Sequence, residues 1–224
     1  MIPWELLDRA PVPDQDGEVV LYRHDKEYSI RTNQTELMNS RSHGSEEALG
    51  ELGCGHLTAS PTPRVLIGGL GMGFTVAAAL RTLGPSGAVI VAELVPAVVA
   101  WNRDIFGHLA GHPLRDSRVT VREADVHRVM EEERGGFDAI MLDVDNGPNA
   151  LCNKGNQRLY SREGLKTAFS ALRKDGVFAI WTAGPDLEFG NRLKRAGFTV
   201  EEVNVRGRGR SGGHHMVWLA FRKN

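Results

Sequence analysis

The segment "VLIGGLGMGF", Val65 to Phe74, constrains this chain more than any other stretch. An apolar run gives way to four glycines, Gly68, Gly69, Gly71 and Gly73. The run reads as a buried strand, and the glycines as a tight turn into the helix that "FTVAAALRTLG" predicts. Glycines at such a turn permit unusual backbone angles and clear side chains from the path of whatever approaches. The helix N-terminus that follows offers unpaired N–H groups and a partial positive charge.

The pattern then repeats. "AVIVAE", "RVTVREAD", "FDAIMLDVD" and "VFAIWTAG" read as strands. They alternate with helical segments: "PAVVAWNRDIFGHL" with Pro96 in its first turn, "VHRVMEEERG", "SREGLKTAFSALRKDG" and "DLEFGNRLKRAG". Strand–helix units in series require a parallel sheet with helices on both faces. "FTVEEVNVRG" and "HHMVWLAFRK" close the chain as two consecutive strands, which predicts an antiparallel hairpin at one edge. The expected fold class is α/β, a Rossmann-like seven-stranded sheet.

Residues 1–58 have another texture. "VVLY" and "YSIR" read as strands, with turns at His24-Asp25-Lys26 and Thr32-Asn33-Gln34. "SEEALGELGCGHL" reads as a short helix with Ser45 as N-cap and Glu46 and Glu47 at its positive end. "TASPTPR", Thr58 to Arg64, is a Pro-punctuated linker. The expected organisation is a small N-terminal β-strand domain over 1–58 and a larger domain over 59–224.

Composition excludes several classes. Lys plus Arg number 27 against 28 Asp plus Glu, so no nucleic-acid or membrane partner is expected. Cys54 and Cys152 have no paired spacing, which argues against a disulfide scaffold or a zinc site. The start "MIPWELLDRAP" has acidic residues and no long apolar stretch, so a cytoplasmic protein is expected.

Gly69-Leu70-Gly71-Met72-Gly73 is a GxGxG pattern, which a merely tight turn also explains. Two acids strengthen the case for a ligand. Glu93 ends the second strand about 20 residues beyond the glycines, where a carboxylate accepts from both hydroxyls of a ribose. Asp125 follows the third strand, placed to accept from an adenine amino group. Glycines and acids at the ends of three successive strands point to an adenosine-containing ligand. GxGxG and the five-plus-two strand pattern favour S-adenosylmethionine over NAD.

These segments resemble the spermidine synthase-like branch of the class I S-adenosylmethionine-dependent methyltransferase fold. "VLIGGLGMG" is similar to its glycine-rich motif, "VAE" and "EAD" to its ribose- and adenine-binding strand ends, and "FDAIMLDVDNGPNAL" with "LYSREGL" to its acidic loop and next helix. The N-terminal strands look like the family's small β domain. The resemblance implies that Gly68, Gly69, Gly71, Gly73, Glu93 and Asp125 bind S-adenosylmethionine or its decarboxylated form. It also implies a homodimer and a small-molecule acceptor. Asp143 then faces the sulfonium, able to hold an attacking amine or hydroxyl and accept its proton, with Asp145 as a second acid and Pro148 stiffening the loop.

Three departures matter. The family's aminopropyltransferases carry an Asp in the glycine turn where this chain has Gly71. Their acidic loop reads D-S-S/T-D-P against Asp143-Val144-Asp145-Asn146-Gly147-Pro148 here, and their polyamine-site Gln and Tyr fall near Glu36 and Ser45. Methyl transfer to a small amine or hydroxyl is therefore the first expectation. Aminopropyl transfer to a polyamine and non-catalytic nucleoside binding are the alternatives. "DVD" is also similar to metal-dependent catechol-type O-methyltransferases, but "IWTAG" lacks their later Asp-Asn pair and no metal is expected. His43, Tyr160, Trp181, His214 and His215 stay open between pocket and structural roles. The alternating Arg206, Arg208 and Arg210 read as an exposed turn.

Overall fold

The computed structural model describes residues 3–14, 16–32, 35–57, 60–144, 156–208 and 211–223. Four antiparallel strands come first: β1 (Glu5–Pro11), β2 (Glu18–His24), β3 (Glu27–Thr32) and β4 (Thr35–Asn39). The sequence reading found β2 and β3 and missed β1 and β4. Both missed strands are at the edges of the sheet and mostly exposed or half-buried, so neither shows the alternation that burial of one face imposes. Asp25, with φ of 56°, makes the turn between β2 and β3. The turn expected at Thr32-Asn33-Gln34 lies partly outside the described residues.

Helix α1 (Gly44–Cys54) follows, and its N-cap position is His43 rather than the expected Ser45. The helix starts two residues earlier, and the Ser45 hydroxyl, inside its first turn, donates to the Glu46 carboxylate at 2.6 Å instead of capping. Then come β5 (Arg64–Gly68), α2 (Phe74–Thr82), β6 (Ala88–Glu93), α3 (Pro96–Asp104), β7 (Val119–Glu123), α4 (Val126–Glu132) and β8 (Phe137–Leu142). The chain ends with α5 (Arg162–Ala171), β9 (Leu172–Thr182), α6 (Leu187–Arg195), β10 (Thr199–Arg208) and β11 (Ser211–Phe221).

Two boundaries differ from expectation. The segment read as one helix through Leu109 is α3 followed by a separate 3-10 turn at Gly107–Ala110. The chain folds back tightly there: a Cβ on Gly107 would stand 2.0 Å from the Asn102 carbonyl oxygen. Strand β9 begins at Leu172, not Val177, because Leu172 pairs with Phe137 before an irregularity shifts the register.

The large sheet has the order β10-β11-β9-β8-β5-β6-β7. Strands β5 to β9 run parallel, and β11 is inserted antiparallel between β9 and β10. Alternate strand residues serve two cores. Val65, Ile67, Val89, Val91 and Met141 face α1, α2 and α3, and the same cluster takes in Leu21 and Ile30 of the small sheet. Leu66, Ile90, Ile140 and Leu142 face α4, α5 and α6. From β5 the chain moves outward through β6 and β7, then returns to β8 on the other side. That reversal opens a crevice at the carboxyl ends of β5 and β8.

The α1–α2 contact lets the N-terminal segment reach this crevice. A Cβ on Gly50 would stand 2.6 Å from the Thr75 carbonyl oxygen and 2.6 Å from Ala78 Cβ. Gly50→Val is therefore expected to push the helices apart and cost about 1–3 kcal/mol. Chemical denaturation measures it; a variant as stable as the parent contradicts the contact.

Candidate functional site

The crevice is a cleft of about 230 Å³. Its floor is the turn between β5 and α2. Gly69 N donates to Ala92 O, and Asp143 N donates to Gly68 O, both at 2.9 Å, so the turn is tied to the ends of β6 and β8. Gly69 has φ of +86° and a Cβ there would be 2.4 Å from the Asp143 carbonyl oxygen. Gly71 has φ of +50° and a Cβ there would be 2.7 Å from Met38 Sδ of β4. Two of the glycines are thus required by the protein's own packing as well as by any ligand. Gly68 ends β5 against Val126, and Gly73 occupies the N-cap position of α2.

Glu93, buried at 8% exposure, is fixed by both oxygens. Oε2 accepts from Leu70 N and Oε1 from Val95 N, each at 2.8 Å. One carboxylate therefore clamps the glycine turn to the start of α3. It also lines the cleft.

Asp125 is the N-cap of α4. Its Oδ1 accepts from His127 N at 2.7 Å, and its Oδ2 pairs with Arg158. It also lines the cleft, so a ligand amino group would share a carboxylate already in use.

Asp143 follows β8 directly. Its Oδ2 accepts from Thr75 Oγ1 at 2.6 Å. Burial pushes its pKa up to about 6, against the opposing effect of the Thr75 hydroxyl. Sequence reasoning missed its neighbour. Glu46, placed by α1 on the cleft wall, has its pKa pushed up to about 7, by burial first and by the charge of Asp143 second. In the chain's order Glu46 shows only a helix-dipole role, because nothing there brings residue 46 to residue 143. Asp145, Asn146 and Pro148 lie outside the described residues.

The other open residues find places. Trp181 lines the cleft and stacks, tilted, on His215 with ring centroids 4.9 Å apart. Its indole nitrogen is buried without a hydrogen-bond partner among the described residues. His43 stacks flat on Phe74 at 4.0 Å. Tyr160 is 2% exposed and its hydroxyl donates to Val144 O at 3.3 Å. His214 is exposed. Glu36 is exposed and accepts from Ser29 and Asn39 of the small sheet. Among the described residues no helix is long and apolar enough to cross a membrane.

No protein-family model and no curated protein sequence matches the chain. Solved structures do. Spermidine synthase from Thermotoga maritima superposes with a TM-score of 0.75 at 16% identity, over 97% of this chain and 72% of that one. A spermidine synthase in complex with the transition-state analogue AdoDATO gives 0.77 at 18%, over 97% and 73%. Human methyltransferase-like protein 13 in complex with SAH gives 0.58 at 19%, over 80% and 79%. The chain has the class I methyltransferase fold in its spermidine synthase-like form, with the small β sheet in front.

The two raised carboxyls set a pH dependence. Asp143 and Glu46 hold their protons more tightly in the folded chain than in the unfolded one. Their contribution to stability is thus present below about pH 4 and is lost as pH rises through about 6 to 7. Glu46→Gln should flatten that loss and make the ligand-free protein more stable than the parent at pH 8, by about 1–2 kcal/mol. Thermal denaturation at pH 5 and pH 8 decides; a variant less stable than the parent at pH 8 contradicts the account.

Proposed function

We propose that this protein is a transferase that uses S-adenosylmethionine to methylate a small amine, with Asp143 as the proton acceptor. The observation that carries the reading is the charge of the cleft. Asp16, Glu46, Glu93, Asp125 and Asp143 line it, and no Lys, Arg or His is among its described lining residues. A cleft of one sign with low-dielectric walls concentrates ligands of the other sign. A sulfonium donor and an ammonium acceptor are both cations.

In this reading Glu93 accepts from the ribose hydroxyls and Asp125 from the adenine amino group. The glycine turn and the N-terminus of α2 meet the donor's carboxylate with N–H groups. Residues 59–224 supply this donor side. Residues 1–58 supply the acceptor wall, through Leu37 and Met38 of β4 and Glu46 of α1.

S-adenosylmethionine, when bound, supplies an electrophilic methyl carbon on a positively charged sulfur. Asp143 takes a proton from the acceptor ammonium and frees the nitrogen lone pair for attack. The N–CH₃ bond forms as the S–CH₃ bond breaks, and its electron pair stays on sulfur. A carboxylate with a pKa near 6 suits this task at neutral pH. Asp143→Asn should keep S-adenosylhomocysteine binding and lower turnover by about 10² to 10⁴. Near-normal turnover in the variant would remove Asp143 from the chemistry.

A second reading is aminopropyl transfer from decarboxylated S-adenosylmethionine. It is favoured by the absence, among the described lining residues, of a cationic side chain to meet a donor carboxylate. Against it stands the packing at Gly71. Met38 occupies the space beside that glycine, and among the described residues no charged side chain lies within 4 Å of where its Cβ would stand, to attract the ammonium of a decarboxylated donor. Titration calorimetry with both donors separates the readings. S-adenosylmethionine is expected to bind more tightly; stronger binding of the decarboxylated form favours aminopropyl transfer.

Glu93→Ala is expected to weaken S-adenosylhomocysteine about tenfold or more, since hydrogen bonds to a carboxylate contribute roughly 1.5–3 kcal/mol each. It should also destabilise the ligand-free protein, because Leu70 N and Val95 N lose their acceptor. Unchanged affinity alongside lower stability would leave Glu93 as a purely structural clamp.

A further inference from the structure

Glu46 has no part in the reaction as written so far. It lies in the first turn of α1 and reaches the same cleft as Asp143, which arrives from the end of β8. Thr75 of α2 stands between the two segments. Its hydroxyl oxygen is 2.6 Å from Asp143 Oδ2 and 3.1 Å from the Glu46 carbonyl oxygen. The Thr75 hydroxyl donates to Asp143 Oδ2, which favours the ionised form of Asp143. Ser45 Oγ donates to Glu46 Oε2 at 2.6 Å, which opposes the effect of burial on Glu46 without overcoming it. Both carboxyls line the one cleft, and burial together with the charge of Asp143 makes Glu46 hold its proton more tightly.

We infer that Glu46 and Asp143 form a proton-sharing pair that receives the acceptor's ammonium by releasing that proton to solvent. The inference rests on the transferase reading above and adds an acceptor-binding residue to it. The charge balance is closed. The empty pair holds one proton and one negative charge. An arriving ammonium makes a second negative charge favourable, and the Glu46 proton leaves. Asp143 then takes a proton from the ammonium, and Glu46 remains ionised. After methyl transfer the product is again a cation, and Glu46 is its counter-ion.

The surrounding charges leave this role to the pair. On α1, His43 is 3.5 Å from Glu47. Arg81 of α2 is held by Glu47 and Glu51, each at 3.6 Å. His215 of β11 lies behind Trp181. Asp16 shares the cleft from the loop before β2, and Glu93 and Asp125 line it at the ends of β6 and β7. Arg158 is paired with Asp125. Desolvation dominates the raised affinity of Glu46 for its proton, with Asp143 next and Glu47 a small further cause.

The test uses the full chain saturated with S-adenosylhomocysteine and n-butylamine as the probe. An alkylammonium titrates near pH 10, so the probe keeps its charge throughout. Between pH 5.5 and 7 its affinity should rise by up to about tenfold per pH unit, the signature of one proton released on binding. Calorimetry in phosphate and in Tris should show the same proton as a buffer-dependent heat. Glu46→Gln should remove most of both effects, and Glu46→Asp should restore them in part. A pH-independent affinity in the parent overturns the inference. So does a slope that survives Glu46→Gln, or failure of n-butylamine to bind the loaded protein. The first titration, with S-adenosylhomocysteine alone, isolates the underlying reading: if the parent does not bind it, the transferase assignment falls and the inference falls with it.

Discussion

The Glu93 carboxylate holds the site together. One oxygen accepts from Leu70 in the glycine turn and the other from Val95 at the entry to α3. A turn of this kind has few side chains with which to fix its own shape, and glycine loses the most conformational freedom on folding. Charge-assisted hydrogen bonds in a buried place supply the missing constraint. Asn102 adds to it by donating to Gly71 O at 2.7 Å, and Asp143 N adds to it through Gly68 O. A change at the end of β6 is thereby felt at the carboxyl ends of β5 and β8, where the cleft lies.

Around this fixed turn the protein gathers negative charge and takes it out of water. Dehydrating a carboxylate is costly unless hydrogen bonds or an opposite charge compensate. Glu93 and Asp125 are compensated inside the protein, by backbone N–H groups and, for Asp125, by Arg158. Asp143 has the Thr75 hydroxyl and Glu46 the Ser45 hydroxyl, which is less than full compensation, and both respond by holding protons more tightly. A cation entering the cleft meets carboxyls that, among the described residues, have only a hydroxyl each to compensate them. Preorganised polar groups of this kind act on a reaction without reorganising at the moment it occurs.

Much of this was legible in the chain's order. Parallel strands buried on both faces show near-continuous apolar runs, so "VLIGG", "AVIVAE" and "FDAIML" are recognisable without a structure. Glu93 and Asp125 are legible because the fold places ligands at strand ends, and strand ends are marked by where the apolar runs stop. β1 and β4 left no such mark, being exposed edge strands. The split of the segment after Pro96 was hidden as well, because it depends on Gly107 meeting the carbonyl of Asn102.

The sequence alone determined the α/β alternation, the turn of glycines and the acids at three strand ends, because each is a local pattern that secondary structure imposes on neighbouring residues. The tertiary structure alone decided what those acids face. It brought Glu46 to the cleft of Asp143 across 96 intervening positions through the α1–α2 contact, placed Met38 against Gly71 and set Trp181 in the cleft wall. These are contacts between elements distant along the chain. Their geometry follows from how helices and sheets pack, which no window of consecutive residues encodes.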